Sequence, residues 1–273
     1  MKSMTHADAP ITAVLLDLDD TILHDGIATE TAFAATASLA HDRAGVEPDQ
    51  LIAAVLRESA ALWAAGPHPD WCRGIGTSEV EGLRAVFDGE HAHWQAMREW
   101  GPGFRFESWR RALASCGVED DDLARVLDTR FGEERAAANP YMDGAEDALR
   151  ELGKHYKLAM VTNGIPDVQR TKVERTGLAS HFDVVIISGE LGFGKPDPRL
   201  YEETLRRLGV GAGESIMVGD NFRRDVIGAQ ESGIRGVWLS LGRPSPDPAA
   251  EPWLVIDSLA ELPDILAAGS IKS

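Results

Sequence analysis

The chain has 273 residues, 27 basic and 44 acidic, for a formal charge of −17. Such a field repels nucleic-acid phosphates and anionic membrane surfaces, so neither is expected as a partner, and an anionic substrate must be held by a few local groups or a metal. With 44% hydrophobic and 26% charged residues the composition is globular, with room for one large domain or a domain plus an insertion, and no apolar run is long enough to span a bilayer.

The opening stretch MKSMTHADAP lacks the apolar region and cleavage site of a secretory signal. Cys72 and Cys116 fit no metal or redox spacing, and two reduced thiols point to a cytoplasmic protein. The first apolar run, Val14–Asp17, ends on a crowd of acids, Asp17, Asp19, Asp20 and then Asp25. Carboxylates this close stay ionised together only around a cation, or else one keeps its proton.

From about Ile22 to Gly144 strand signals vanish. Thr29–Ala44, Pro48–Ala65, Ser78–Phe87, Glu90–Trp100, Glu107–Ser115 and Asp120–Ala138 read as helices, with a capping box at Ser78 and Glu81 and Pro48 at a first helical position. Gly66–Gly76, rich in turn formers, reads as a loop. An all-helical block inside an α/β chain implies an inserted domain, here 22–144, with the remaining 1–21 and 145–273 forming the core. Because it starts just after the acidic cluster, it is expected to hang over that end of the sheet.

Short apolar runs then return at Leu158–Thr162, Val184–Ser188, Ile216–Asp220, Gly236–Leu239 and Leu254–Asp257, with helical patterns such as Pro198–Leu208 and Arg224–Ser232 between them. Continuous apolar strands alternating with helices predict a doubly wound parallel sheet, Rossmann-like, covered on both faces. Ligands in such folds bind beyond the carboxyl ends of the strands.

Four polar motifs stand at those ends: Asp17-Leu18-Asp19-Asp20-Thr21, Thr162-Asn163-Gly164, Lys195-Pro196-Asp197, and Gly219-Asp220-Asn221 followed by Asp225. Together they supply what phosphoryl transfer to a carboxylate needs. A carboxylate nucleophile splits ester hydrolysis into two displacements. Mg²⁺ bridged by Asp17 and Asp220 offsets the repulsion between nucleophile and phosphate. Thr162, Asn163 and Gly164 offer a hydroxyl and N–H groups to the phosphate oxygens, Lys195 a fixed cation, and Asp19 a group able to serve as acid and base.

In these motifs the chain, over Thr12 to about Leu241, resembles the haloacid-dehalogenase superfamily in its aspartate-nucleophile phosphatase branch. The long helical insertion resembles that family's cap, most similar to that of N-acylneuraminate-9-phosphatase and pyrimidine-nucleotidase-like members. The resemblance implies Asp17 as the phosphorylated nucleophile and Asp19 as general acid/base. It also implies Mg²⁺ on the Asp17 carboxylate, the Asp19 carbonyl and Asp220, with Asp225 nearby or behind them. The expected substrate is a small phosphorylated metabolite. A phosphomutase or other phosphotransferase, a 2-haloacid dehalogenase, and a non-catalytic phosphate-binding module are the alternatives. Dehalogenating members need neither the metal nor an acid at position 19.

Among the other polar residues, Asp20 and the Asp25-Gly26 pair read as turn residues, and Arg223 and Arg224 as a solvated helix start. His91, His93, Trp94, Trp100 and Trp109 read as helix packing. Trp71 and Arg73, in the Gly66–Gly76 loop, are the cap groups best suited to read the leaving alcohol by stacking and ion pairing. The motifs specify the phosphate and leave the alcohol and the oligomeric state open.

Overall fold

The computed structural model describes residues 9–268, so most of the opening decapeptide lies outside the described residues. Six strands form one parallel sheet: β1 Ala13–Leu16, β2 Lys157–Thr162, β3 Val184–Ile187, β4 Ser215–Gly219, β5 Arg235–Leu239 and β6 Leu254–Ile256. Their spatial order is β3-β2-β1-β4-β5-β6, so the winding reverses beside β1. Each strand lies within about one residue of its expected place.

Side-chain alternation explains the apolar run of β1. Val14 and Leu16 face one layer with α7 (Ala145–Leu152), while Ala13 and Leu15 face another with α10 (Pro198–Leu208), and all four are buried. A strand covered on both sides has no polar face to show. Leu16 pairs with both Met160 and Val218, so the residues after β1, β2 and β4 emerge together at one edge.

The helical insertion contains α1 (Asp25–Ala44), α2 (Pro48–Ala64), α3 (Pro69–Ile75), α4 (Glu79–Gly82), α5 (His93–Ser115) and α6 (Asp121–Ala137). The long helices α1, α2, α5 and α6 bury their own apolar cluster, including Phe33, Leu51, Trp109 and Phe131. The chain leaves and returns through paired backbones: the His24 N–H donates to the Pro140 carbonyl and the Met142 N–H to that of Ile22, both at 2.8 Å. The remaining core helices are α8 (Pro166–Thr176), α9 (Ser188–Leu191), α11 (Gly228–Glu231) and α12 (Leu262–Ala268).

Three helical expectations differ from the structure. Glu90–Trp100 and Glu107–Ser115 are parts of one helix, α5, which runs through Pro102. An interior proline costs on the order of 3 kcal/mol, but burial of Trp94, Met97, Phe104 and Trp109 along this helix offsets it. The Gly66–Gly76 stretch holds a short helix, α3, bounded by left-handed backbone at His68 and Gly76. The Ser78–Phe87 segment keeps its capping box but stays helical only to Gly82. Beyond that turn the chain opens so that Ala85 and Phe87 are buried against Trp94 and Ile165, and the Val86 and Asp88 N–H groups donate to Asp167 of α8.

Candidate active site

Asp17 is the first residue beyond β1, and its N–H still donates to the Val218 carbonyl. Its Oδ1 accepts the Leu18 N–H at 2.8 Å and meets the Lys195 ammonium at 2.7 Å. Burial pushes the Asp17 carboxyl up to about 7; Lys195 opposes this, while Asp225 and Asp19 add to it.

Lys195 is buried, and its ammonium lies 2.7 Å from both Asp17 and Asp225. Its loop is fixed by the Asn163 amide, which donates to the Lys195 carbonyl at 2.9 Å and accepts its N–H at 2.8 Å. Asp225 stands in a widened helical turn, Phe222–Ile227, and its Oδ2 accepts the Asn221 N–H. Gly219 makes this approach possible, because a Cβ there would lie 2.3 Å from the Asp225 Cγ. Asp220 follows β4, with its N–H on the Thr21 hydroxyl and its carboxylate 3.2 Å from Arg243. Burial and then Asp17 push its carboxyl up to about 6 against the pull of Arg243.

Oxygens of Asp17, Asp220 and Asp225 lie within 4.8 Å of one another. Three hard oxygen donors, all of them pushed up in pKa by burial, fit a small divalent cation such as Mg²⁺.

Asp19 turns its carboxylate to the other side. Oδ1 meets Lys172 at 2.6 Å and Oδ2 accepts from Gln169 at 2.9 Å. Both partners come from α8. The same Gln169 amide also donates to the Thr162 hydroxyl and the Asn163 carbonyl.

The structure thus brings Asp17, Asp19, Thr162, Lys195, Asp220 and Asp225 to one edge. The Gly164 N–H is engaged otherwise than expected, donating to Ser188 Oγ at 3.0 Å. The Asn163 side chain holds the Lys195 loop, while its backbone N–H has no hydrogen-bond partner among the described residues. Trp71 stacks on His91 with ring centroids 4.9 Å apart and packs edge-on to Trp94. Arg73 is 75% exposed and pairs with Asp70.

Asp25 needs correction. It is no simple turn residue, since its Oδ1 lies 2.5 Å from Arg135, 2.7 Å from Lys172 and 3.9 Å from Arg84. Sequence reasoning also passed over Gln169, Lys172 and Arg243. For the first two a signal existed: three residues apart on the helix after the Thr162-Asn163-Gly164 motif, they share one face.

The chain matches the haloacid dehalogenase-like hydrolase family over residues 11–233. It is 38% identical over 250 residues to a phosphoserine phosphatase of Thermus thermophilus, covering 91% of this chain and 96% of that one. It is 34% identical over 172 residues to N-acylneuraminate-9-phosphatase of Mus musculus, covering 62% and 69% respectively. Among solved structures, a 2-haloacid dehalogenase from Pseudomonas syringae superposes with a TM-score of 0.62 at 26% identity, covering 95% of this chain and all of that one.

The chain belongs to the haloacid dehalogenase-like hydrolases. Within that family it is a phosphomonoester hydrolase.

Proposed function

We propose that the protein hydrolyses a small phosphomonoester with Mg²⁺, using Asp17 as nucleophile and Asp19 as acid and base. One observation carries this division of labour: Asp17 is held at Oδ1 by Lys195 and the Leu18 N–H, while Asp19 is held apart from it by Lys172 and Gln169. Among the described residues no donor bonds the Asp17 Oδ2, which leaves that oxygen to attack.

In the first displacement Asp17 Oδ2 forms a bond to phosphorus, the bond from phosphorus to the alcohol oxygen breaks, and a proton passes from Asp19 to the departing oxygen. In the second, Asp19 removes a proton from water as that water attacks phosphorus, and the bond to Asp17 breaks to release inorganic phosphate. Each oxygen of the Asp19 carboxylate keeps a lone pair beyond its bond to Lys172 or Gln169. Lys195 neutralises charge where Asp17 meets the phosphoryl group, and the Thr162 hydroxyl lies at the same edge as a further polar contact. Asp17 and Asp220 would hold the Mg²⁺, with Asp225 fixing Lys195 behind them. When bound, the ion polarises the phosphoryl group and offsets its repulsion from Asp17.

The substrate is a small phosphorylated metabolite. L-Phosphoserine heads the panel because a relative covered over nearly its full length carries that name. The family also holds dehalogenases, but a cluster of three carboxylates serves a cation better than attack on a carbon–halogen bond. The test is turnover of p-nitrophenyl phosphate and L-phosphoserine with Mg²⁺ and in excess chelator, beside 2-chloropropionate. Mg²⁺-dependent phosphate release with no chloride release is expected. Full phosphatase activity in chelator, or dehalogenation, would overturn the reading.

A further inference from the structure

A cavity of about 330 Å³ opens between the start of α1 and the turn after α4, lined by Asp20, Asp25, Thr29, Glu81, Arg84 and Arg135. Asp20 belongs to the catalytic loop, and Glu81, Arg84 and Arg135 to the helical insertion. The cavity therefore spans the two parts of the molecule on the Asp19 side of the site.

Its two guanidinium groups differ. Arg135 is held at two nitrogens, Nη2 by Asp25 at 2.5 Å and Nη1 by the Ala138 carbonyl at 3.4 Å, while its buried Nε has no partner among the described residues. The side chain of Arg84 is only 7% exposed, yet its nearest carboxylate oxygen, Asp25 Oδ1, is 3.9 Å away. That same oxygen already receives Arg135 and Lys172. A guanidinium has five donors, and burial without acceptors is costly. Burial, then Arg135, lower the Arg84 pKa to about 10, so it stays charged at neutral pH. A buried, charged planar fork facing a cavity is suited to a carboxylate.

The position suits the leaving alcohol. Lys172 joins Asp19 to Asp25, at 2.6 and 2.7 Å, and Asp25 is the carboxylate beside Arg84. Asp20, the neighbour of Asp19 in the chain, lines the cavity together with Arg84, which places the two on one side of the site. Glu30, Asp20 and Glu81 also line the cavity. Their carboxyl groups disfavour a second phosphate dianion and can receive an ammonium.

We propose that Arg84 determines specificity by binding a carboxylate on the alcohol portion of the substrate, so that the preferred esters are O-phosphorylated short hydroxy acids, including hydroxy amino acids. This rests on the phosphomonoesterase reading above.

The test measures kcat/KM of the full chain with Mg²⁺ on four esters: L-phosphoserine and 3-phosphoglycerate, which carry a carboxylate, and phosphoethanolamine and glycerol 3-phosphate, which do not. The first pair should exceed the second by about tenfold or more, and Arg84→Gln should reduce that ratio by a similar factor, chiefly through KM. Arg84→Lys, which keeps the charge and loses the fork, should fall between. A ratio near one in the unsubstituted protein overturns the proposal, whatever the variants do. Equal loss on all four esters in Arg84→Gln also overturns it, because that is the mark of a structural role. Failure to hydrolyse any of the four, or p-nitrophenyl phosphate, would instead defeat the phosphomonoesterase reading itself.

Discussion

Lys172 lies 2.6 Å from the Asp19 carboxylate and 2.7 Å from that of Asp25, so one buried ammonium joins the catalytic loop to the first helix of the insertion. The two acids share this single cation, which α8 supplies. Placement of the insertion over the site is therefore electrostatic as well as apolar.

Asp25→Asn should destabilise the protein by about 3 kcal/mol, because it leaves Arg135, Lys172 and Arg84 without their shared counter-charge. Burial alone would raise the Asp25 carboxyl, but Lys172 and Arg135 outweigh it and hold the pKa well below the usual 3.8. A lowered folded-state pKa contributes stability that is present above the unfolded value and lost as pH falls. The difference between wild type and variant in urea denaturation should thus be constant from pH 5 to 8 and shrink below about pH 4. A difference that grew with acidity would contradict the assigned pairing.

Asp17→Asn should abolish phosphatase turnover while leaving the fold intact, since an amide is a poor nucleophile and metal ligand. A loss of about a thousandfold or more is expected. Circular dichroism of the purified variant checks the fold, and more than a few per cent residual rate would mean a different nucleophile. Loss of a carboxylate from a crowded buried cluster should also raise Tm in chelator at pH 8, where Asp17 is ionised at a site that pushes its pKa to about 7.

Lys195→Met should be among the most damaging single changes, costing about 3–5 kcal/mol, because Asp17 and Asp225 would face each other without the cation between them. Guanidinium denaturation in chelator is the direct measurement. Mg²⁺ should recover part of the loss by supplying charge at the same cluster. A variant as stable as wild type would show that the two aspartates share a proton instead.

Much of this architecture was legible because its causes are local. A strand buried on both faces must be largely apolar, as β1 and the Ile216–Val218 stretch of β4 are, and the acids after them follow within one or two residues. What escaped was long-range. Asp25 finds Arg135 at a separation of 110 residues, and Lys172 finds Asp19 at 153, so neither pair leaves a mark in any short window. The Pro102 helix was missed for a related reason: burial of distant aromatic side chains overrides a local breaker. Trp71 and Arg73 looked suited to the leaving group as residue types. Arg84, proposed above for that role, lies in an unremarkable stretch of sequence, and its burial beside Asp25 follows only from the fold.

Glu81 caps α4 and reaches the core by accepting the Ile165 N–H at 3.2 Å. Gly164 permits the approach, since a Cβ there would lie 2.6 Å from the Glu81 Oε1. Burial pushes the Glu81 carboxyl up to about 7; Asp19 adds to the rise, while Lys172 and the Ile165 N–H oppose it. A raised folded-state pKa contributes stability that is full below the unfolded value, 4.5, and lost as pH climbs through 7. Glu81→Gln has nearly the shape of the protonated acid but does not titrate. Its Tm relative to wild type should therefore rise between pH 5 and pH 8, with most of the change below about pH 7 and a levelling above it. Thermal melts in chelator at one-unit intervals read this directly, and chelation removes Mg²⁺ binding at Asp17 and Asp220 as a second source of pH dependence. A Tm difference independent of pH would show that Glu81 is ionised throughout and that the insertion docks on a charged carboxylate.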